Sequence, residues 1–220
     1  MIVLGLTGSI GMGKSAAATV LRQLGVPVHD ADQAVHRLLG PGGSAVPRIA
    51  ELFPQAIVSA DGGVRVDRRA LGAVVFGRPD LLKRLEAILH PLVRRSEQTF
   101  IRAHRSRRVG TVAIDVPLLF ETGTEKRCDA AILVTAPAAV QAHRVLARPG
   151  MTSERFAAVR KLQMPERDKR RRADFVVMTG LSKRLTRDRL TAIVRLMATP
   201  AGRARVRDAR NRRRYRNNRA

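Results

Sequence analysis

Aromatic side chains are scarce in these 220 residues: six Phe, one Tyr and no Trp, 3% of the chain. A core built from this composition must be aliphatic, and the stacking platforms that hold single-stranded nucleic acids are nearly absent. A single cysteine, Cys128, excludes a disulfide framework and suits a reducing, cytoplasmic setting. The five histidines are too scattered for a structural zinc site. No apolar run approaches the ~20 residues of a membrane span. Met1 leads directly into an apolar segment, so neither a signal peptide nor a membrane association is expected.

Acids are also few, with 18 Asp and Glu against 42 Lys and Arg and a formal net charge of +24. Such an excess invites a nucleic-acid reading, but its distribution weakens it. From Ala201 onward nine arginines face one acid, Asp208, which places +8 on the tail and +16 on the first 200 residues. That tail has almost no apolar residues, so residues 201–220 are expected to be unpacked and mobile. They would adhere to RNA, DNA or anionic lipid in a salt-dependent, non-specific way.

Against this background one segment is rich in information. The apolar run Ile2–Leu6 is followed by Gly8-Ser9-Ile10-Gly11-Met12-Gly13-Lys14-Ser15, and then by the Ala- and Leu-rich stretch from Ala16 to Leu24. A strand that delivers a glycine-rich turn into a helix is the arrangement of a phosphate-binding P-loop. Its main-chain N–H groups can surround a β-phosphate, Lys14 can reach the β- and γ-oxygens, and Ser15 offers a hydroxyl to Mg²⁺. A nucleoside triphosphate is the implied ligand; the acceptor of its phosphate is not specified by the loop.

Five short β-branched runs read as buried strands: 2–6, 26–29, 109–115, 131–134 and 175–177. They alternate with helical segments, which predicts an α/β fold with a five-stranded parallel sheet covered on both faces. About eighty residues separate the second and third strands. They carry helical stretches at 33–39, 45–52, 69–75, 79–89 and 92–104, with breaks at Pro41-Gly42-Gly43 and Asp61-Gly62-Gly63. The predicted organisation is a nucleotide-binding core (1–32, 107–136, 173–200), a helical acceptor-binding insertion (33–106) and a basic lid (137–172). A last helix near 187–197 closes the core. Two insertions above such a sheet suit a kinase that encloses its acceptor and excludes water.

Several side chains fall where chemistry is expected. Asp30 and Asp32 end the second strand at the edge that carries the P-loop, where open α/β sheets bind ligands. One of the two is expected to cap the following helix, leaving Asp32 to accept a hydroxyl proton. Val112-Ala113-Ile114-Asp115 is an apolar strand ending in an acid that can orient Mg²⁺. Arg144 and Arg148, four apart, would share one helical face, either toward a transferring phosphate or as a solvated basic surface. His90-Pro91 reads as the end of a helix.

Taken together, these elements resemble the dephospho-CoA kinase family. The resemblance rests on Leu6-Thr7-Gly8 through Ser15, Asp30-Ala31-Asp32, Val75-Phe76 and Leu85 through His90-Pro91. It continues in Asp115-Val116-Pro117-Leu118-Leu119-Phe120-Glu121, Gln141 with Arg144 and Arg148, Gln163-Met164-Pro165 and Ala173-Asp174. It implies a P-loop kinase fold like the nucleoside monophosphate kinases. It also implies transfer of the ATP γ-phosphoryl to the ribose 3′-hydroxyl of dephospho-CoA, with Mg²⁺. In that family pattern Lys14, Asp32 and Arg144 would be catalytic. Gly8 through Ala16 with Arg148 would hold ATP, and Asp32, His90, Pro117 and Glu121 the acceptor; Ser15 and Asp115 would face the metal. Two positions depart from the pattern: Ala16 replaces a threonine, and Met178-Thr179-Gly180 replaces an Asp/Asn-rich turn near the adenine. The competing readings are a nucleic-acid-associated NTPase, or a P-loop kinase for another hydroxyl acceptor.

Overall fold

Strand β1 (Ile2–Thr7) is buried along its whole length, as is β6 (Ala130–Thr135). Both are continuous apolar runs because helices cover both faces of the sheet they build. The computed structural model describes residues 1–60 and 63–217, and the chain divides into two units, Met1–His29 with His104–Ala220, and Asp30–Ala103.

The first unit is a five-stranded parallel sheet in the order β2-β5-β1-β6-β7, where β2 is Val28–Asp30, β5 Thr111–Asp115 and β7 Phe175–Met178. The register pairs Leu6 of β1 with Asp115 of β5 and with Ile132 of β6. Thus the end of β1, where the glycine loop starts, lies beside the acid that ends β5. Helix α1 (Lys14–Gln23) follows the loop and buries Ala17, Ala18 and Leu21 against the sheet. Small alanines bring helix and sheet backbones close. The aliphatic core continues through Leu4, Leu6, Ile132, Val134 and Val177. Past β6 come α6 (Ala138–Leu146), α7 (Ser153–Lys161) and α8 (Glu166–Arg172), and past β7 come α9 (Lys183–Ala198) and α10 (Pro200–Asn217).

Helix α10 corrects the expectation of a mobile tail over residues 201–217; residues 218–220 of that tail lie outside the described residues. Its Val206 joins the aliphatic core, and Arg210 and Arg213 fork onto the carboxylate of Asp174, which is 1% exposed. Arginine is a good helix former, and its stem packs while its head finds a charge. Low hydrophobicity therefore did not prevent docking. The carboxylate that receives these guanidinium groups also accepts the Ala131 N–H at 2.8 Å.

In the second unit, α2 (Ala31–Leu39), α3 (Val46–Leu52), α4 (Arg68–Val75) and α5 (Pro79–Ser106) surround a separate core. Ile49, Phe53, Leu71, Leu85 and Ile88 lie within it. Two expectations fail here. The insertion is not wholly helical: β3 (Ile57–Ala60) and β4 (Gly63–Val66) form an antiparallel hairpin with Ile57 opposite Val66. Asp61-Gly62, between two β-branched runs, is a hairpin signal as well as a break, and these two residues lie outside the described ones. Nor does a helix end at His90-Pro91, since the 28-residue α5 runs through it. A mid-helix proline costs ~3 kcal/mol, mainly through one lost hydrogen bond and a clash with the carbonyl four residues back. The apolar stripe of Leu85 and Ile88 packed into the core outweighs it. No helix among the described residues is long and apolar enough to cross a membrane.

Candidate active site

The loop between β1 and α1 turns through left-handed glycines, Gly11 at φ 76° and Gly13 at φ 86°. Any Cβ on Gly13 would stand 2.5 Å from the Thr179 hydroxyl, so glycine is required there by space as well as by φ. Gly13 ends the loop without a side-chain cap on α1. The first N–H groups of α1 are therefore presented to an anion. Lys14 reaches across to Asp115, Nζ to Oδ1 2.7 Å, and the acid is buried while the lysine is partly exposed. Ser15 and Ala16 lie exposed at the first turn.

The loop is held from outside by side chains remote in sequence. Gln141, buried on α6, donates from Nε2 to the Ile10 carbonyl at 2.7 Å, and the Ile10 N–H donates to Gln163 Oε1 at 3.2 Å. The backbone of one residue is thus held through both its N–H and its carbonyl by the α6–α8 segment. Thr179, just after β7, donates its hydroxyl to the Met12 carbonyl at 2.6 Å. Arg144 lies against the same turn, with contacts from NH1 to Thr179 Oγ1 at 3.2 Å and to the Gly11 carbonyl at 3.5 Å. Its NH2 donates to the Thr179 carbonyl at 3.0 Å. Beside the loop, Ser9, Met12, Gln141, Arg160, Lys161 and Gln163 help to line a cleft of about 490 Å³.

The structure brings Gly8 to Ser15, Asp115 and Arg144 together. Pro117 enters through its backbone, whose carbonyl accepts from Thr7 Oγ1 at 2.9 Å. Glu121 is engaged by the turn between α7 and α8 and by α8 itself. Its Oε1 accepts the Met164 N–H at 2.9 Å and lies 3.0 Å from Nζ of the fully buried Lys169. Burial pushes the Glu121 carboxyl up, but these two partners outweigh it and hold it below the usual carboxylate range. Arg148 does not share a helical face with Arg144. Helix α6 ends at Leu146, and Arg148 is exposed in the turn before Pro149-Gly150, because a residue preceding proline disfavours helix.

In the second unit the two aspartates stand in different places. Asp30 caps α2, its Oδ1 accepting the Gln33 N–H at 3.0 Å, and Asp32 is exposed in the first turn. His90 is exposed on α5. In the sequence Gln141 and Gln163 are marked only by the family resemblance, and Thr179 only as a departure from it. Nothing local marks a glutamine or threonine as the brace of a loop more than a hundred residues away.

The family model for dephospho-CoA kinase matches residues 2–183. The chain belongs to the dephospho-CoA kinase family. Among its curated relatives, the dephospho-CoA kinase of Rhodospirillum rubrum is 55% identical over 183 residues, covering 83% of this chain and 85% of that protein. The dephospho-CoA kinase of Paramagnetospirillum magneticum is 58% identical over 170 residues, covering 77% and 78%. Of solved structures, TT1252 from Thermus thermophilus superposes with a TM-score of 0.76 at 38% identity, covering 90% of this chain and 98% of that one. The dephospho-CoA kinase from Campylobacter jejuni shares the fold, with a TM-score of 0.67 at 22% identity over 89% and 96% of the two chains. The matched span ends soon after β7, so α9 from its second residue and all of α10 lie beyond the family model.

Proposed function

We propose that this dephospho-CoA kinase family member transfers the γ-phosphoryl group of ATP to the 3′-hydroxyl of dephospho-CoA, giving CoA and ADP. The observation that carries the proposal is the glycine loop, which presents uncapped helix N–H groups and the Lys14 ammonium at one point, beside the buried acid Asp115. Such a point is built for a polyphosphate tail.

The loop amides from Gly11 to Ala16 would hold the β-phosphate. Lys14 would move from Asp115 to the β- and γ-oxygens as they arrive. Asp32, at the start of the helix that leaves β2, would accept the 3′-hydroxyl proton. The hydroxyl oxygen then bonds to the γ-phosphorus, the bond from that phosphorus to the bridging oxygen breaks, and ADP leaves. Arg144 would stabilise charge on the equatorial oxygens, with Arg148 near the phosphates. His90, Pro117 and Glu121 would shape the acceptor pocket. Exclusion of water by the α6–α8 lid keeps hydrolysis from competing.

The residues present also fit Mg²⁺. This ion takes one or two protein oxygens and completes its shell with phosphate and water. Among the described residues no cluster of three or more His, Cys, Asp or Glu could hold a metal alone, whereas Ser15 Oγ and the Asp115 carboxylate offer the small donor set required. When bound, the ion would neutralise charge on the β- and γ-oxygens. Cytoplasmic placement is part of the same proposal.

Purified protein given ATP, Mg²⁺ and dephospho-CoA should form ADP and CoA in equal amounts. ADP no higher than in the acceptor-free control overturns the assignment, and turnover only with another hydroxyl acceptor from a panel redirects it.

A further inference from the structure

Thr179 occupies a singular place beneath the phosphate loop. Its N–H donates to the Thr135 carbonyl at 2.8 Å, which fixes the residue to the end of β6. Its hydroxyl has one proton, and the Met12 carbonyl at 2.6 Å is a nearer acceptor for it than the Thr135 carbonyl at 3.4 Å. Toward Arg144 the oxygen must therefore act as acceptor, which it does for NH1 at 3.2 Å, while the Thr179 carbonyl accepts NH2 at 3.0 Å. A single residue thus holds the loop at the peptide before Gly13 and sets the plane of the arginine's guanidinium. These contacts use only part of a five-donor group, so the arginine is oriented while retaining donors for phosphate.

We infer that Thr179 is a positioning residue for phosphoryl transfer: it couples the shape of the loop at Met12-Gly13 to the orientation of Arg144. This rests on the kinase reading above. The side chain approaches no phosphate itself; its action runs through Arg144 and the main chain. Valine has the shape of threonine without the hydroxyl, so Thr179→Val removes both the Met12 bond and the oxygen acceptor while conserving volume. Serine keeps both.

The test uses the full chain with ATP, Mg²⁺ and dephospho-CoA. Thr179→Val should lower kcat by about tenfold to a hundredfold, the range expected when a catalytic group is misplaced, with KM for ATP within about threefold. Thr179→Ser should return kcat to within about threefold of the parent, since the hydroxyl is restored. On an Arg144→Ala background the effect of Thr179→Val should be at least about threefold smaller than in the parent, because the part of its action that runs through the arginine is then already lost. Thermal unfolding midpoints should fall by no more than about 5 °C, as the loss of one or two hydrogen bonds implies. Parental kcat in Thr179→Val, equal damage in Thr179→Ser, or an undiminished effect on the Arg144→Ala background overturns the inference. If Thr179→Val does not fold, Thr179→Ala replaces it, and an unfolded Thr179→Ala also overturns it by showing a purely structural brace. A parent enzyme inactive on dephospho-CoA would instead strike the kinase reading itself, and this inference with it.

Discussion

Lys14 and Asp32 occupy opposite physical situations, and substitutions at the two should separate accordingly. Lys14 is partly buried and paired at 2.7 Å with Asp115, itself only 1% exposed. Removing its ammonium takes away the proposed phosphate ligand and also the ion pair with a buried carboxylate. Asp32 is exposed in the first turn of α2. Asp32→Asn should lower kcat by about a hundredfold or more, as expected for loss of the proposed general base, and lower the unfolding midpoint less than Lys14→Ala does. Lys14→Ala should lower turnover by a similar order and lower the midpoint more. Steady-state kinetics alongside calorimetry distinguishes the two, and an Asp32→Asn enzyme of near-parental kcat would remove Asp32 from the mechanism. At this scale the sequence was legible where partners are close along the chain. The glycines, Lys14 and Ser15 form one continuous loop, and Asp30 caps a residue three positions on. It was silent where partners are distant, as with Gln141, Gln163 and Thr179, which lie 131, 153 and 167 residues from the loop atoms they hold.

Among elements, the strands were readable because a buried parallel strand is a run of β-branched and aliphatic residues. The observed β1, β5, β6 and β7 fall on the expected runs within a few residues. Where local signals compete, packing decided. Pro91 argued for a helix end, but the continuous apolar stripe of α5 prevailed, and Arg148 fell outside α6 because Pro149 ends the helix before it. The turn between α7 and α8 gives a pH-dependent prediction. Glu121 has its carboxyl held below the ordinary 4.5 by the Met164 N–H and Lys169 against the opposing pull of burial. A depressed carboxyl contributes stability that is fully present above its unfolded value and is lost as pH falls through the folded value. Exchange protection of the Met164 amide should therefore hold above about pH 4.5 and fall at lower pH, and Glu121→Gln should abolish that pH dependence. Identical profiles for the two proteins would show that Glu121 does not hold the turn.

On the scale of the whole molecule, the C-terminal helix is the main surprise. Its composition argued against packing, yet Arg210 and Arg213 converge on one buried carboxylate that also anchors the start of β6. Removing both guanidinium groups should leave Asp174 uncompensated. We expect Arg210→Ala/Arg213→Ala to lose about 2–3 kcal/mol by denaturant titration, less than a fully buried pair because the arginines are partly exposed. A loss below about 0.5 kcal/mol would mean that the helix contributes only surface charge. The sequence by itself determined the phosphate loop, the alternation of strands and helices, and the family, because each is written in residues near one another along the chain or in their order. Only the tertiary structure decided that the arginine tail docks, that Pro91 lies inside a helix, and that a threonine after the last strand braces the loop after the first. Those outcomes depend on groups far apart in sequence meeting in space, where burial and hydrogen bonding outweigh local preference.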